Sequence, residues 1–380
     1  MSSDLRPAVP VRPTRALVSA SAIAHNLAEL RRVLPRATSI IGVVKADAYG
    51  HGAVLVARAL AAARVDWLGV AVAEEGIALR EAGIQTPILV LDGIFEPQLD
   101  LALQERLTPV VFSEAQLAPL AAAAARRGGR IPAVHVKIDT GMGRLGLLPG
   151  EVGGFAALAR SMGIPVAAVM SHLANADTGD EETSRAQMAR LDAAVKVFRD
   201  LGFPPFEQHL ANTAAALEMP EACRALVRPG LALYGHVPAP RLADKVRLRP
   251  ALSWVTEILQ IKRVPAGYPV SYGGLYRTAR PSSLAVLPVG YADGYRRSMT
   301  GRIAVLVRGR RVPVAGAITM DLTIIDVTDA PAARVGDPVV LIGRQGEDEI
   351  TVQELAAAAG TIPYEIFCGI GPRVPRVGVP

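Results

Sequence analysis

Short apolar runs alternate with helical segments over the first two-thirds of the chain. The runs are rich in β-branched residues and bounded by turn residues, a pattern typical of buried strands. They cover residues 39–45, 67–72, 87–92, 108–112, 132–138, 166–173, 207–211 and 226–234. The segments between them have the apolar spacing of helices at 53–63, 74–82, 97–106, 114–127, 151–162 and 183–201.

Strands and helices that alternate through short connections predict a closed (β/α)8 barrel of the TIM type. An open doubly wound sheet is the competing architecture, but no Gly-x-Gly-x-x-Gly turn follows the first strand. The longest helix is predicted to begin at Thr183 as its cap, with Leu191, Val195 and Phe198 on one face.

The pattern changes after Pro250. Valine- and isoleucine-rich segments at 252–264, 283–289, 303–307, 312–318, 322–327 and 338–342 are separated by Pro, Gly or charged turns. These segments predict a mainly β domain with one helix near 351–359. We therefore expect a barrel over 14–248 and a C-terminal β domain over 249–380, to which we assign the extended segment 1–13.

Composition restricts the partners that the protein binds. Of the 380 residues, 51% are hydrophobic and 20% charged, and the net charge of +6 comes from scattered arginines. This balance favours small anionic ligands over nucleic acid. The chain has two distant cysteines, no signal-like N-terminus and no apolar run of roughly 18 residues. We expect a cytoplasmic protein without a disulfide, a structural metal or a membrane span.

Lys45 follows the first apolar run and is an unusual residue for the inner end of a buried strand. Desolvation would lower the pKa of its amine and make it a nucleophile, as in lysines that form Schiff bases. Alternatively, the side chain would extend from the strand end into solvent. This segment alone leaves both interpretations open.

Functional side chains of a barrel lie just after the carboxyl ends of its strands. Five predicted strand ends carry such residues: Lys45 and Tyr49, Lys137 and Arg144, His172, His209 and Thr213, and Arg228, Gly230 and Leu231. Arginine, lysine, hydroxyl and glycine amide groups on one face are suited to an anionic ligand. The sequence lacks a Walker loop, a His-x-x-x-His pair and any spacing that suggests a Ser-His-Asp triad.

The run Val-Lys-Ala-Asp-Ala-Tyr-Gly-His-Gly at 44–52 resembles the cofactor-lysine signature of the bacterial alanine racemase family. Further strings match that family in order and spacing, at 139–146, 227–230, 270–273, 290–295, 320–321 and 361–365. The resemblance implies a barrel followed by a β domain, the cofactor pyridoxal 5'-phosphate, and interconversion of L- and D-alanine for peptidoglycan. The alternatives are a broader amino-acid racemase acting on serine, or a non-catalytic protein that binds pyridoxal phosphate.

By this resemblance, Lys45 holds the cofactor covalently and is one of two acid/base groups on the substrate. Tyr272 is the other, supplied by the second subunit of a homodimer with shared active sites. Arg228 faces the pyridine nitrogen, and His209 is placed to form a hydrogen bond with Arg228. The resemblance also assigns His172 to the face of the cofactor.

The remaining assignments concern the phosphate and the amino-acid substrate. Tyr49, Thr213, Tyr364 and the amides of Gly230 and Leu231 are expected to hold the phosphate. Arg144 is expected to bind the phenolic oxygen of the cofactor and the carboxylate of the substrate. Lys137 is expected to be carbamylated and to orient Arg144, with an ion pair to Asp139 as the alternative. Met320, from the other subunit, lines the substrate pocket.

Two departures from the family pattern and several residues without a secure role remain. Ala317 stands where the family often has arginine, which changes the expected substrate corridor, and Thr213 replaces the commoner serine. The corridor is expected to include Tyr291, Asp321 and Asp177. His25, His135 and His236 match no catalytic position, and we interpret them as structural.

Overall fold

Eight parallel strands close into a barrel in the computed structural model, which describes residues 12–380. A preceding strand, β1 (Arg15–Ser19), lies outside the barrel. The barrel strands are β2 (Ser39–Val43), β3 (Trp67–Val70), β4 (Ile88–Val90), β5 (Leu107–Val111), β6 (Val134–Lys137), β7 (Val166–Met170), β8 (Glu207–His209) and β9 (Leu226–Val227). Parallel pairing of β2 with β9 closes the ring. The predicted barrel is confirmed.

Each predicted strand contains an observed strand, but the predictions extend too far at the carboxyl ends. The clearest case is the eighth, where 226–234 was expected to be extended and only Leu226–Val227 is. Residues Leu231–Tyr234 are buried in a 3-10 turn. Burial alone gave these residues an apolar pattern, so the sequence did not distinguish a buried turn from a strand.

Helical segments connect the strands, and the longer ones bury an apolar face. They are α1 (Ala20–Val33), α2 (Lys45–Gly50), α3 (Ala53–Ala62), α4 (Ala73–Glu81), α5 (Leu99–Gln104), α6 (Leu117–Arg126), α7 (Val152–Ser161), α8 (Glu181–Asp200) and α9 (Thr213–Glu218). The six predicted helices are confirmed. Helix α1 was not predicted, although Ile23, Leu27 and Leu30 recur on its buried face.

The prediction that Thr183 caps α8 is wrong, because the cap is Asp180. The Asp180 carboxylate accepts hydrogen bonds from the Thr183 amide, at 3.0 Å, and from the Thr183 hydroxyl, at 2.6 Å. Aspartate is as good an N-cap as threonine. The apolar face was predicted correctly, since Leu191, Val195 and Phe198 are buried.

The C-terminal part of the chain is mainly β. Its elements are β10 (Leu252–Glu257), β11 (Gln260–Val264), β12 (Pro269–Val270), β13 (Tyr276–Arg277), β14 (Ser282–Leu287), β15 (Ala304–Val307), β16 (Arg310–Pro313), β17 (Thr323–Asp326), β18 (Pro338–Gln345), β19 (Asp348–Ile350), α10 (Val352–Ala359), α11 (Pro363–Gly369) and β20 (Arg376–Val379). The predicted helix corresponds to α10. The second helix, α11, was not predicted.

The largest sheet of this region runs in the order β16-β15-β18-β10-β1-β20, with β19 beside β18. β1 pairs antiparallel with β10 and parallel with β20, so distant parts of the sequence join one sheet. Strands β11, β14 and β17 form a second sheet, and β12 with β13 forms a hairpin. The core includes the buried side chains of Trp254, Tyr295 and Phe367.

Within the described residues, the chain divides into two compact units. One contains Ser21–Ala48 and Ala53–Arg249, and we call it the barrel unit. The other contains 12–20, Tyr49–Gly52 and Pro250–Pro380, and we call it the β unit. Most of the segment 1–13 that we assigned to the β domain lies outside the described residues. No helix in the described part is long and apolar enough to cross a bilayer.

Candidate active site

Lys45 begins a turn of helix with the opposite hand to an ordinary helix. The φ angles of Ala46, Asp47, Ala48 and Tyr49 are 51°, 53°, 54° and 51°. A left-handed conformation costs L-residues roughly 1–2 kcal/mol each, so neighbouring groups must hold it. No local pattern of residues predicted this turn.

Two carboxylates hold the start of the left-handed turn in the barrel unit. Glu75 accepts a hydrogen bond from the Ala46 amide at 2.6 Å and another from the Ala71 amide at 2.8 Å. The Asp47 carboxylate accepts from the Ala53 amide at 2.6 Å. These hydrogen bonds therefore fix the backbone just after Lys45, whose own side chain is half-buried.

Arg228 is buried in the barrel and surrounded by neutral acceptors. Its Nη1 donates to His209 Nδ1 at 2.5 Å, and its Nη2 donates to the carbonyl oxygens of Ser171 and Leu210 at 2.6 and 3.1 Å. A further contact of 3.3 Å joins Nη2 to His172 Nδ1. Burial lowers the pKa of Arg228 to about 10, which still leaves it charged at neutral pH.

The positive charges in the barrel lower the pKa of two histidines, His172 and His209. Burial first, and then the charge of Arg228, hold the pKa of His172 and of His209 well below the ordinary value. The charges of Arg144, Lys137 and Lys45 lower the pKa of His172 further. Residues predicted from separate strand ends are therefore within electrostatic reach of one another, and both histidines are neutral near pH 7.

Lys137 is buried at the carboxyl end of β6, with 5% of its surface exposed. Burial lowers the pKa of its amine to about 8, while Asp92 opposes this shift and the charges of Arg228, Arg144 and Lys45 add to it. A lysine with this pKa has a sizeable neutral fraction near pH 7, unlike an exposed lysine. The neutral amine is the nucleophilic form.

Asp139 organises the loop that carries Arg144. Its carboxylate accepts four backbone N–H groups, those of Gly141, Met142, Gly143 and Arg144, at 2.9, 2.8, 3.1 and 3.0 Å. Burial raises the pKa of Asp139, but these four bonds outweigh burial and leave the pKa below its ordinary value. Within residues 12–380 no ion pair joins Asp139 to Lys137, so the structure does not contain the alternative considered for Lys137.

The same loop needs glycine at its end. A Cβ atom on Gly146 would lie 2.3 Å from the Asp139 nitrogen, and its φ angle is 141°. Any side chain at position 146 would therefore collide with the backbone that presents the Asp139 carboxylate.

Thr213 and Gly230 lie together at the ends of β8 and β9. Thr213 is the first residue of α9, which Asn212 caps by accepting from the Ala215 amide at 3.1 Å. The Thr213 hydroxyl accepts from the Gly230 amide at 3.1 Å, and Leu231 begins the 3-10 turn after it. This part of the barrel supplies a hydroxyl and backbone amides, the donors that phosphate groups bind.

The β unit contains a second group of predicted residues. The rings of Tyr49 and Tyr364 lie 5.6 Å apart, and burial raises the pKa of the Tyr49 hydroxyl, with smaller effects of Tyr364 and Cys368. A Cβ atom on Gly50 would lie 2.1 Å from the Phe367 carbonyl oxygen. Gly50 is therefore needed for the close approach of this segment to α11.

Tyr272 and Met320, the two residues expected to act in a partner subunit, are both exposed, and Arg144 of the barrel unit is exposed as well. Tyr272 is 73% exposed and Met320 is 54% exposed. Tyr272 follows Ser271, whose φ angle is 61° and whose hydroxyl donates to the Ala317 carbonyl at 2.8 Å. The backbone that presents the Tyr272 phenol is thus held in place although the phenol itself faces solvent.

The structure adds polar residues that the sequence reasoning gave no functional role. They are Glu75, Asp92, His135, Asp139 and Ser171. His135 stands two residues before Lys137, so strand alternation places both on one face of β6. That alternation was a signal in the sequence.

Two family models together match most of the chain. The model described as the N-terminal domain of alanine racemase matches residues 18–238, and the one described as its C-terminal domain matches residues 251–378. An alanine racemase of Symbiobacterium thermophilum is 47% identical over 367 residues, covering 96% of this chain and 97% of the relative. An alanine racemase of Halothermothrix orenii is 42% identical, covering 96% of each chain.

Solved structures resemble the chain over nearly its whole length. The alanine racemase from Bacillus anthracis with bound L-Ala-P has a TM-score of 0.91 at 34% identity, covering 98% of this chain and 96% of that one. The alanine racemase from a D-cycloserine-producing Streptomyces lavendulae has a TM-score of 0.91 at 38% identity, covering 98% of both chains.

Proposed function

The chain belongs to the alanine racemase family, and from this premise we propose that it is an isomerase that interconverts L-alanine and D-alanine. The observation that carries the proposal is the hydrogen-bonded group of Arg228, His209 and His172 at the carboxyl end of the barrel, where the charge of Lys45 also lowers the pKa of His172. The relatives do not favour the two alternatives, a serine racemase and a non-catalytic binding protein.

The residues present fit pyridoxal 5'-phosphate by the chemistry of their donors. The hydroxyl of Thr213 and the amides of Gly230 and Leu231 suit the phosphate, as do the hydroxyls of Tyr49 and Tyr364. Arg228 offers a permanent donor to the ring nitrogen, and the amine of Lys45 suits the aldehyde carbon. When bound, this cofactor draws electrons from the amino acid and makes its α-hydrogen acidic.

Racemisation requires one group that removes the α-proton from one face and another that returns a proton to the opposite face. We assign these roles to the Lys45 amine and the Tyr272 phenol. Lys45 belongs to the barrel unit, whereas Tyr272 is exposed to solvent in the single chain. A homodimer in which Tyr272 of one subunit completes the site of the other accounts for this exposure. The exposed Leu275 and Met320 also belong to the surface that such a dimer covers.

Arg228 limits the reaction to proton exchange. A guanidinium does not give up its proton readily, so it donates a hydrogen bond to the ring nitrogen without protonating it. A ring that stays unprotonated at nitrogen withdraws fewer electrons. We infer that this favours racemisation over transamination.

Lys137 and Arg144 form the substrate side of the proposed site. The neutral amine of Lys137 attacks carbon dioxide, which forms an N–C bond, releases a proton and leaves a carbamate with one negative charge. Its pKa of about 8 makes the neutral amine available for this step. The carbamate then orients Arg144, which binds the substrate carboxylate, and Met320 from the partner limits the size of the pocket.

Further parts of the proposal concern the cell and the domains. We propose a cytoplasmic enzyme that supplies D-alanine for peptidoglycan. The domain boundaries remain our proposal of 14–248 for the barrel and 249–380, with 1–13, for the β domain.

Chiral analysis of single amino acids incubated with the protein and pyridoxal phosphate tests the proposed function. L-Alanine should give D-alanine until the two are equal, and D-alanine should give the same mixture. Lys45→Ala is the control for catalysis by contaminants. If alanine stays enantiomerically pure while serine racemises, the assignment to alanine is wrong. If no amino acid racemises, the enzyme assignment is wrong.

A further inference from the structure

A chain of hydrogen bonds continues from Arg228 into the barrel interior, beyond the residues that face the proposed ligand. Arg228 Nη1 donates to His209 Nδ1 at 2.5 Å, and His209 Nε2 lies 2.9 Å from His135 Nδ1. The exposed fractions of Arg228, His209 and His135 are 5%, 0% and 2%. We call these three side chains the Arg–His–His relay.

The direction of each hydrogen bond in the relay follows from its first member. An arginine has five N–H donors and no acceptor, so His209 must accept at Nδ1. A neutral His209 then carries its proton on Nε2 and donates it to His135 Nδ1. His135 accepts at Nδ1 and carries its own proton on Nε2. One arginine therefore specifies the tautomer of two histidines.

The environment keeps both imidazoles neutral, as this assignment requires. Burial first, and then the charge of Arg228, lower the pKa of His135 to about 3. The same causes hold the pKa of His209 well below its ordinary value. A protonated His209 would have no lone pair for Arg228, and two cations would then face each other.

His135 is also held in place by packing. The indole of Trp67 on β3 lies against its ring, with centroids 5.6 Å apart, and the ring of His209 meets it nearly edge-on at 4.9 Å. The imidazole of His135 therefore presents Nδ1 to His209 in a fixed direction. Since Trp67 is half-buried and His135 is buried, this end of the relay is packed against the barrel wall.

We propose that His135 is a positioning residue for racemisation: it accepts the Nε2 proton of His209 and so keeps His209 Nδ1 free to orient the Arg228 guanidinium. The inference rests on the proposed function, in which Arg228 faces the ring nitrogen of the cofactor. Without His135, the His209 proton would lose its buried acceptor, and the tautomer with Nδ1–H would direct an N–H at Arg228. The guanidinium would then lose the bond that orients it.

The direct test reads the tautomers and does not depend on turnover. In protein labelled with 15N-histidine, long-range 1H–15N spectra distinguish a protonated from an unprotonated ring nitrogen for each of the six histidines. The signals of His135 and His209 are assigned by their loss in His135→Asn and His209→Asn. Both residues should carry a proton on Nε2 and none on Nδ1. A His209 protonated on Nδ1, or on both nitrogens, would overturn the inference.

Matched variants test the role in the reaction. Leucine at 135 fills space without an acceptor, whereas the amide oxygen of asparagine lies close to where imidazole Nδ1 was. His135→Leu should lower kcat by about 10- to 100-fold, with a smaller change in the KM for alanine. His135→Asn should recover most of that loss. Equal losses in both variants would show that packing matters and the acceptor does not.

One control variant and two further measurements distinguish a failure of the relay from a failure of folding or of the proposed function. His25 binds the Arg247 carbonyl at 2.7 Å, away from the relay, so His25→Leu should racemise like the parent. Thermal unfolding of each variant shows whether it folds, and if His135→Leu does not, the tautomers of the parent decide the question. A parent with the expected tautomers and no racemase activity would refute the proposed function and leave the relay intact.

Discussion

The most buried candidate residues lie in the barrel unit, whereas the two that we assign to a partner's site lie exposed in the β unit. In the barrel unit, Arg228, Lys137 and His209 are at most 5% exposed, and Arg228 and His209 are joined by a hydrogen bond. In the β unit, Tyr272 is 73% exposed and Met320 is 54% exposed. A buried charged group is stable only with partners, so the barrel residues are arranged by their own chain. The exposed phenol has no such requirement within the subunit.

The single chain therefore completes only the barrel part of the proposed site. The barrel arranges Arg228, His209 and His172 of the proposed site, because these groups bind one another when the barrel folds. The β unit holds the backbone of Tyr272 but leaves its phenol in solvent. Changes at Lys45, Tyr272, Asp139, Lys137 and Thr213 test that division.

Lys45→Ala should give the largest loss, about 10⁴-fold in kcat/KM for alanine, because the proposed function makes this lysine both a proton-transfer group and the covalent attachment of the cofactor. The measurement is the rate of D-alanine formation, with the visible absorbance of the bound cofactor recorded in parallel. A variant that keeps a tenth of the parental rate would exclude Lys45 as a base.

Tyr272→Phe should lower racemisation by about 10²- to 10⁴-fold while the melting temperature and the bound cofactor stay unchanged, since the phenol contacts little within its subunit. Mixing this variant with Lys45→Ala should restore activity, because one of the two sites in a mixed dimer then has both bases. No recovery after subunit exchange, verified with differently tagged subunits, would show that the sites are not shared.

Asp139→Ala should reduce the unfolding free energy by about 3 kcal/mol, because four backbone N–H groups lose a charged acceptor. Urea unfolding measures this change, and the KM for alanine should rise because the Arg144 loop is released. Asp100→Ala, which removes an exposed ion pair with Arg126, is the control and should cost at most about 1 kcal/mol. Equal effects of the two changes would refute a special role for Asp139.

The Asp139 pKa also predicts a dependence on pH. Its folded pKa lies below the ordinary value, so the folded state binds fewer protons than the unfolded one. Asp139 therefore stabilises the protein above its unfolded pKa of about 3.9, and this contribution is lost as the pH falls through the lower folded pKa. The difference in stability between parent and Asp139→Ala should narrow only in acid.

Lys137→Met should lower kcat by about tenfold without reducing stability, because a buried amine is replaced by an apolar side chain of similar length. Labelled 13C-bicarbonate should give a carbamate signal in the parent and none in the variant. The pKa of Lys137 is lowered to about 8, so the fraction of neutral amine should rise with pH and reach about half near pH 8. A parent that shows no carbamate signal at any pH would refute carbamylation.

Thr213→Ser should have the smallest effect, because serine keeps the hydroxyl that accepts the Gly230 amide. Thr213→Ala should weaken cofactor binding by about tenfold, which corresponds to about 1.4 kcal/mol, since the phosphate loses the hydroxyl that the proposal assigns to it. Fluorescence titration with pyridoxal phosphate measures both. If serine and alanine weaken binding equally, the hydroxyl does not contribute.

The strands and helices of the barrel could be predicted from the sequence for a clear physical reason. The strands of a parallel barrel are buried on both faces, so they appear as continuous apolar runs that turn residues interrupt. That is why all eight barrel strands were located. Helix α1 was readable by the same logic from Ile23, Leu27 and Leu30, but it was not predicted.

Other features had no local signal. The left-handed turn after Lys45 depends on Glu75, which lies thirty residues further along the chain. The cap of α8 depends on a choice between Asp180 and Thr183 that only the packed loop makes. The four bonds of Asp139 likewise depend on how its loop closes.

By itself, the sequence determined the barrel, the mainly β character of the C-terminal part and the set of residues at the strand ends, because burial and strand periodicity are written in local patterns. Only the tertiary structure decided which of those residues bind one another. In the folded chain, Arg228 binds His209, and His209 binds His135. The Asp139 carboxylate accepts hydrogen bonds from the amides of its own loop, and the Tyr272 side chain is exposed to solvent. The physical reason is that hydrogen bonds and burial depend on distances between residues far apart in sequence.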